Sequence, residues 1–306
     1  MLRSNQKPNV FIVGAPKCGT TSLANYLADH PGCFVTPKKE PHYFSNFMRN
    51  DLSIEEYERL FCAAKPEHVV RVDASTSYLT QPTAIKRILE YRSDPKFIVL
   101  LRNPVDLSYS LHSETLYRGG EEINDFREAW RLQGKRRTGK NIPRSCQNRD
   151  MLLYYEQSLL GHALDQLLKY AGRSCVHWMF VEDLGRNPGC CYRALLGFLG
   201  LEDDGRKEFP HLNKSKRHRF PRLNRATRIL GRWRAKSGLP GLGVRDALNR
   251  YARVEAERPP LSEEFRWELY QAFYEDIRLL SRLTGRDLSH WTPTTIEGNS
   301  DAFKKE

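Results

Sequence analysis

The chain has 306 residues, 40% of them hydrophobic and 28% charged, which is enough apolar material for a sizeable core and ordinary for a globular protein. Its 49 Lys and Arg against 37 Asp and Glu leave a formal charge of +12, which suits an anionic ligand, a nucleic acid or a membrane surface rather than a cationic partner. The 7 cysteines form no CxxC pair, so a complete disulfide framework is disfavoured and reduced thiols in the cytosol are expected. No apolar run approaches the roughly 18 residues of a membrane span.

"NVFIVG" (Asn9–Gly14) is a short apolar, β-rich run and reads as a buried parallel strand. "TTSLANYLADHP" places Leu23, Tyr26 and Leu27 at helical spacing and stops at Pro31, so it reads as a helix. The turn between them has Gly14 and Gly19 at the spacing of a Walker A loop, G-x-x-x-x-G-K-[ST]. Thr20 and Thr21, however, stand where Lys and Ser/Thr belong, and the lysine is displaced to Lys17. In nucleoside triphosphatases the terminal Lys reaches the β- and γ-phosphates, so this displacement argues against a γ-phosphoryl site. The run Pro16, Lys17, Cys18, Gly19, Thr20, Thr21 and Ser22 remains a candidate anion cradle of backbone N–H groups and hydroxyls at a helix N-terminus.

"TPKKEPHYFSN" (Thr36–Asn46) contains Glu40 and His42 at i, i+2, which an extended segment would point to one side. A carboxylate or imidazole in that position could take the proton of an alcohol. Further strands are read at His68–Ser75 and Lys96–Pro104, with a helix opened by Pro104 and running to about Arg118. Arg102 at a strand end and Ser110 eight residues later, a little over two helical turns, can converge at the carboxyl edge of the sheet.

Residues 119–150 are polar and basic and read as a loop-rich, substrate-side insertion. Leu152–Gly172 reads as one amphipathic helix, Val176–Leu184 as the fourth strand and Cys190–Leu201 as another helix, with Glu182 and Asp183 in a structural role. Residues 205–250 read as a basic, irregular region, of which 222–250 suits a mobile lid. Within it, "HLNKSKRHRFP" supplies Lys214, Ser215, Lys216 and Arg217 as a clamp for a second anion. A last helix follows at "SEEFRWELYQAFYEDIRLLSRLTG". The expected architecture is α/β, a central parallel sheet flanked by helices, in a single domain over 1–292 with a flexible tail at 293–306.

"GAPKCGTTSL" resembles the 5′-phosphosulfate loop of the sulfotransferases that use 3′-phosphoadenosine 5′-phosphosulfate (PAPS), and "LLRNPVDLSYSLH" matches that family's 3′-phosphate motif. "HLNKSKRHRFP" resembles the late basic loop of heparan-type sulfotransferases, and "TPKKEPHYFSN" their KE-x-H-F-F segment. The resemblance covers most of residues 8–225 and, more weakly, the last helix. It implies a P-loop-like sulfotransferase fold, PAPS as donor, adenosine 3′,5′-bisphosphate (PAP) as product, and no metal. It further implies Lys17 beside the bridging oxygen, Glu40 as base with His42 assisting, and Arg102, Ser110 and Lys214–Arg217 on the 3′-phosphate.

The chain departs from the family at two places. His211 stands where many members have cysteine, and Ala74 in "VDASTSYL" stands where some glycan enzymes carry a second catalytic lysine. Either Lys38 or Lys39 takes that role, or Lys17 acts alone. The expected acceptor is a hydroxyl of a small metabolite or natural product, such as an alkaloid toxin, with a carbohydrate or glycosaminoglycan as the alternative. The expected setting is cytoplasmic, without a nucleic-acid or membrane partner. Two rival classes remain: a P-loop kinase or nucleotide hydrolase, distinguished by magnesium dependence, and a nucleic-acid binder using Lys135–Arg149 and Lys214–Arg234, distinguished by steep salt dependence.

Overall fold

Five apolar runs pair in parallel: β1 (Val10–Gly14), β2 (Cys33–Val35), β3 (Val70–Asp73), β4 (Lys96–Leu101) and β5 (Val176–Phe180), in the order β2-β3-β1-β4-β5. The computed structural model describes residues 7–37, 40–46, 52–210, 216–218, 253–255 and 258–293, with 216–218 and 253–255 described by their backbone. Every residue of β1 and β3 is buried, because helices cover both faces of the sheet; β1 is continuously apolar, whereas β3 alternates Val70 and Val72 with the buried Arg71 and Asp73. β1 pairs Phe11 with Asp73 on one side and with Phe97 on the other, until a bulge after Ile12 brings Gly14 opposite Val99. A Cβ at Gly14 would lie 2.7 Å from Leu79 Cβ, so the close approach of the chain after β3 demands glycine.

The helices are α1 (Thr20–Ala28), α2 (Ile54–Arg59), α3 (Pro82–Tyr91), α4 (Pro104–Arg118), α5 (Phe126–Arg131), α6 (Gln133–Arg137), α7 (Tyr154–Gln157), α8 (Leu160–Ala171), α9 (Val181–Arg186), α10 (Pro188–Leu199) and α11 (Glu263–Thr284). α1 and α10 share one face of the sheet through the edge-to-face Tyr26–Tyr192 pair. α3, α8 and α11 pack in succession on the other, as right-handed crossovers between parallel strands require.

Several elements differ from the sequence expectation. The stretch 119–150 contains α5 and α6, with the Asp125 carboxylate accepting from Glu128 N to start α5. The helix expected over Leu152–Gly172 breaks into α7 and α8 because Asp276 of α11 accepts from Gly161 N (2.9 Å) and His162 N (2.8 Å), capping α8 from a distant element. The fourth strand stops at Phe180 and α9 follows directly. Glu182 and Asp183 there tie down the chain after α11: Trp291 Nε1 donates to Glu182 (2.6 Å), and Arg286 grips Asp183. β2, α2 and α3 were not anticipated, nor was the antiparallel pair β6 (Lys216–His218) and β7 (Arg253–Glu255). Residues 205–210 have no regular structure, β6 interrupts the expected irregular region, and the expected lid at 222–250 lies outside the described residues, as does the tail from 294.

Candidate functional site

The site begins where β1 ends. Ala15 N still donates to Leu100 O (3.0 Å), after which the chain turns through Lys17 and Gly19, both with left-handed φ (65° and 89°). Gly19 is the N-cap of α1, without a side-chain cap hydrogen bond, so the structure puts a helix N-terminus where the sequence places its candidate anion cradle. Pro16 has no N–H to contribute, and the Cys18 thiol is buried, with burial pushing it up to about 12 against the opposing charges of Arg102 and Lys17. The Cys18 side chain is therefore not available to a ligand, which leaves only its backbone for the candidate cradle. A thiol reagent at pH 8 is expected to label the exposed Cys62 and Cys190 readily and Cys18 only on unfolding, as read by peptide mass mapping.

Arg102 fastens this turn to the end of β4: its Nη1 donates to Lys17 O (2.9 Å). The next helix, α4, starts with Asn103 as cap and Pro104 in its first turn, and displays Ser110, Glu114 and Arg118 on one face at i, i+4 spacing. Lys17 Nζ sits 3.1 Å from Glu114 Oε2, while Arg118 Nε donates to Glu114 Oε1 (2.7 Å). Burial alone would raise the Glu114 carboxyl, but these two cations outweigh it and hold Glu114 below the usual carboxylate range. Ser110 is buried, and its hydroxyl accepts from Arg258 Nη2 (3.2 Å). Arg258 also lies over the Tyr109 ring, whose hydroxyl donates to Pro259 O (3.0 Å).

Glu40 and His42 are not in an extended segment. Both have left-handed φ (54° and 53°), a conformation a non-glycine residue keeps only when its surroundings enforce it. Their side chains nevertheless meet, with His42 Nε2 3.4 Å from Glu40 Oε2. Three consecutive hydroxyls after β3 hold them. His42 N donates to Ser75 Oγ (2.9 Å), Thr76 Oγ1 donates to Glu40 Oε1 (3.2 Å), and Ser77 Oγ contacts His42 Nδ1 (2.8 Å). Beneath them, the fully buried Asp73 accepts from Ser75 Oγ (2.5 Å), Tyr57 OH (2.8 Å) and Tyr78 OH (3.0 Å). Burial raises the Asp73 carboxyl, opposed by those three donors.

The two halves share a cavity of about 220 Å³, with Thr20 and Thr21 on one wall and Glu40 and Ala74 on the others. Lys38, Lys39, Lys214 and Ser215 lie outside the described residues. Lys216 and Arg217 belong to β6, whose backbone packs against α4.

The sequence profile described as "Sulfotransferase domain" matches residues 7–234. The chain belongs to the sulfotransferase family. The crystal structure of a sulfotransferase from Alicyclobacillus acidocaldarius is similar with a TM-score of 0.69 and 26% identity, covering 93% of this chain and 98% of that one. Heparan sulfate glucosamine 3-O-sulfotransferase 3A1 of Mus musculus is 27% identical over 226 residues, 73% of this chain and 53% of the relative. The membrane-associated sulfotransferase kil1 of Dictyostelium discoideum is 33% identical over 105 residues, 34% of this chain and 22% of the relative. The chain thus spans about half or less of the length of these curated relatives. No helix among the described residues of this sulfotransferase-family chain is long and apolar enough to cross a membrane.

Sequence reasoning missed Asp73, Ser75, Thr76, Ser77, Glu114, Arg118 and Arg258. The run Asp73–Tyr78, an acid followed by three hydroxyls at the carboxyl end of a strand, was the available signal for the first group.

Proposed function

We propose that the chain transfers a sulfuryl group from PAPS to a hydroxyl acceptor. The observation that carries this reading is that Thr20 and Thr21, which follow the lysine-bearing loop in the first turn of α1, line one cavity with Glu40. The residues fit a nucleotide with anions at both ends. The open start of α1 and Lys17 suit the 5′ end, and the buried Ser110, already receiving a guanidinium N–H, suits the 3′-phosphate. When bound, PAPS supplies an activated sulfuryl group whose bridging oxygen leaves with negative charge.

The chain's own residues then divide the work. The N–H groups at the start of α1 bind and orient the 5′ anion, and Arg102, Ser110 and Arg258, with Lys214–Arg217, hold the 3′-phosphate. Lys17 exchanges Glu114 for the leaving oxygen, supplying charge where it develops. Glu40 accepts the acceptor hydroxyl's proton at its carboxylate, and Ser77 fixes the His42 imidazole beside it. No metal takes part in this reading.

Calorimetric titration with PAP, ADP and ATP in the presence of a chelator tests the donor. PAP is expected to bind without metal and ADP much more weakly. Arg102→Ala and Arg258→Ala should each weaken PAP about 10- to 100-fold, matching the roughly 1.5–3 kcal/mol of a charged hydrogen bond. ATP binding that appears only with magnesium, with none by PAP, would instead favour the kinase reading.

A further inference from the structure

We infer that Glu114 is a positioning residue that competes with the bound donor for Lys17, and so sets how strongly an anion must bind before the loop after β1 accepts it. The inference rests on the sulfotransferase reading and adds to it an internal control on donor binding and product release.

The loop's task in that reading is to hold an anion, and Lys17 is the only cationic side chain between Gly14 and Ser22. A carboxylate against that ammonium opposes the task, because it repels the ligand and occupies the ligand's counter-charge. The pair adds little to stability in return. Its two side chains are 34% and 28% exposed, and ion pairs open to water contribute weakly. The placement is nevertheless specific. Lys17 and Glu114 come from different elements, 97 residues apart, and Lys17 is fixed at both ends, its carbonyl by Arg102 and its ammonium by Glu114. Its left-handed φ of 65° needs such support.

Arg118 makes the arrangement reversible. It lies one turn beyond Glu114 on α4, and its Nε donates to Glu114 Oε1 (2.7 Å), leaving Oε2 for Lys17 (3.1 Å). Glu114 therefore keeps a cation when Lys17 departs, so the pair opens by movement of Lys17 and not of the carboxylate. Burial works against the charge on Glu114, but Lys17 and Arg118 outweigh it and keep the group ionised at neutral pH. The competing anion is thus present whenever the site is empty. Donor binding replaces Glu114 by the nucleotide's 5′ anion at Lys17 Nζ, and release of PAP reverses the exchange. A ligand that uses Lys17 feels Glu114, and a ligand that does not use Lys17 is indifferent to it.

Calorimetry with PAP and with adenosine 3′-phosphate, which lacks the 5′ anion, tests this on four proteins: the unaltered chain, Glu114→Gln, Lys17→Met and the double variant. Glu114→Gln keeps the side chain's size and removes its charge. It should bind PAP about three- to tenfold more tightly, between the worth of an exposed ion pair and that of a charged hydrogen bond. Adenosine 3′-phosphate should stay within about twofold. In the Lys17→Met background the same substitution should change PAP affinity by less than about twofold, since no ammonium is left to release. A residue that merely supports the fold would weaken both ligands when substituted, and one that aims Lys17 at the anion would weaken PAP alone. Unchanged or weaker PAP binding by Glu114→Gln would overturn the inference while leaving the donor reading in place. An equal gain for adenosine 3′-phosphate, or an equal gain in the Lys17→Met background, would do the same. PAP binding by none of the four proteins would remove the donor reading, and this inference with it.

Discussion

Glu40→Gln should lower kcat by about 10²- to 10⁴-fold, the usual worth of a positioned general base, while PAP binds unchanged. The glutamine amide keeps the size of the carboxylate and can still accept from Thr76 at the position of Oε1. What it cannot do is take a proton, so the substitution isolates that one property. The loss should fall on kcat rather than on donor affinity, because Glu40 belongs to the segment before β3 and not to the Arg102–Ser110–Arg258 group. His42→Ala should cost less, since the imidazole touches Glu40 only at 3.4 Å and its backbone N–H to Ser75 survives the change. Steady-state kinetics with one fixed acceptor, paired with PAP calorimetry, separate the two quantities. Full turnover by Glu40→Gln with normal PAP affinity would remove Glu40 as the base.

The left-handed φ of Glu40 and His42 carries a further consequence. Such conformations cost about 1–3 kcal/mol each in non-glycine residues and persist where neighbours over-determine them. Here the neighbours are Ser75, Thr76 and Ser77, of which Ser75 is held in turn by Asp73 with its two tyrosines. Glu40, the proposed base, is thus positioned from the carboxyl end of β3, where Ala74 stands. That small residue leaves the cavity open beside Glu40.

How far the sequence could be read depended on whether each constraint was local. β1, β4 and α4 were recognisable because buried parallel strands are largely apolar and Pro104 marks a helix start, and β3 because Val69, Val70 and Val72 are β-branched. The loop glycines were recognisable by spacing, although Gly14 is glycine because Leu79 packs on it rather than because a phosphate approaches. The rest came from distant partners. Asp276 breaks the helix at 152–172 from more than a hundred residues away, and Arg258 reaches Ser110 from the segment before α11. Glu114 and Arg118 look like an ordinary exposed i, i+4 pair until Lys17 arrives from the first loop. β2, only three residues long, carries no periodicity at all. The capping box of Ser53 and Glu56 marks the start of α2 locally. Glu40 and His42 come together, but through left-handed turns rather than the alternation of an extended chain.

Glu121→Ala should destabilise the fold by about 3–5 kcal/mol, the range expected when one partner of a buried ion pair is removed. The side chains of Glu121 and Arg136 are both 0% exposed. Glu121 accepts from Arg136 Nη2 (2.9 Å), Tyr154 OH (2.7 Å), Glu122 N (2.8 Å) and Ile123 N (3.1 Å). Arg136 Nη1 lies 2.7 Å from the other oxygen but off the hydrogen-bonding angle, and its Nε has no partner among the described residues. Burial alone would raise the Glu121 carboxyl, yet these donors hold it below its ordinary value. Its folded pKa being depressed, its contribution to stability is present above the unfolded carboxylate range and lost as the pH falls through the folded value. Removing the carboxylate leaves a guanidinium with no route to water, which is why the single substitution costs far more than the pair is worth. The double variant Glu121→Gln/Arg136→Met should therefore recover most of the loss, because nothing charged is left buried. Urea melts of the three proteins at pH 7 measure this. A loss below about 1 kcal/mol for Glu121→Ala, the range of exposed pairs, would mean that the pair is solvated. In that case α5 and α6 would not be anchored beside the end of α4, and the helix that carries Ser110 and Glu114 would owe its position to α11 instead.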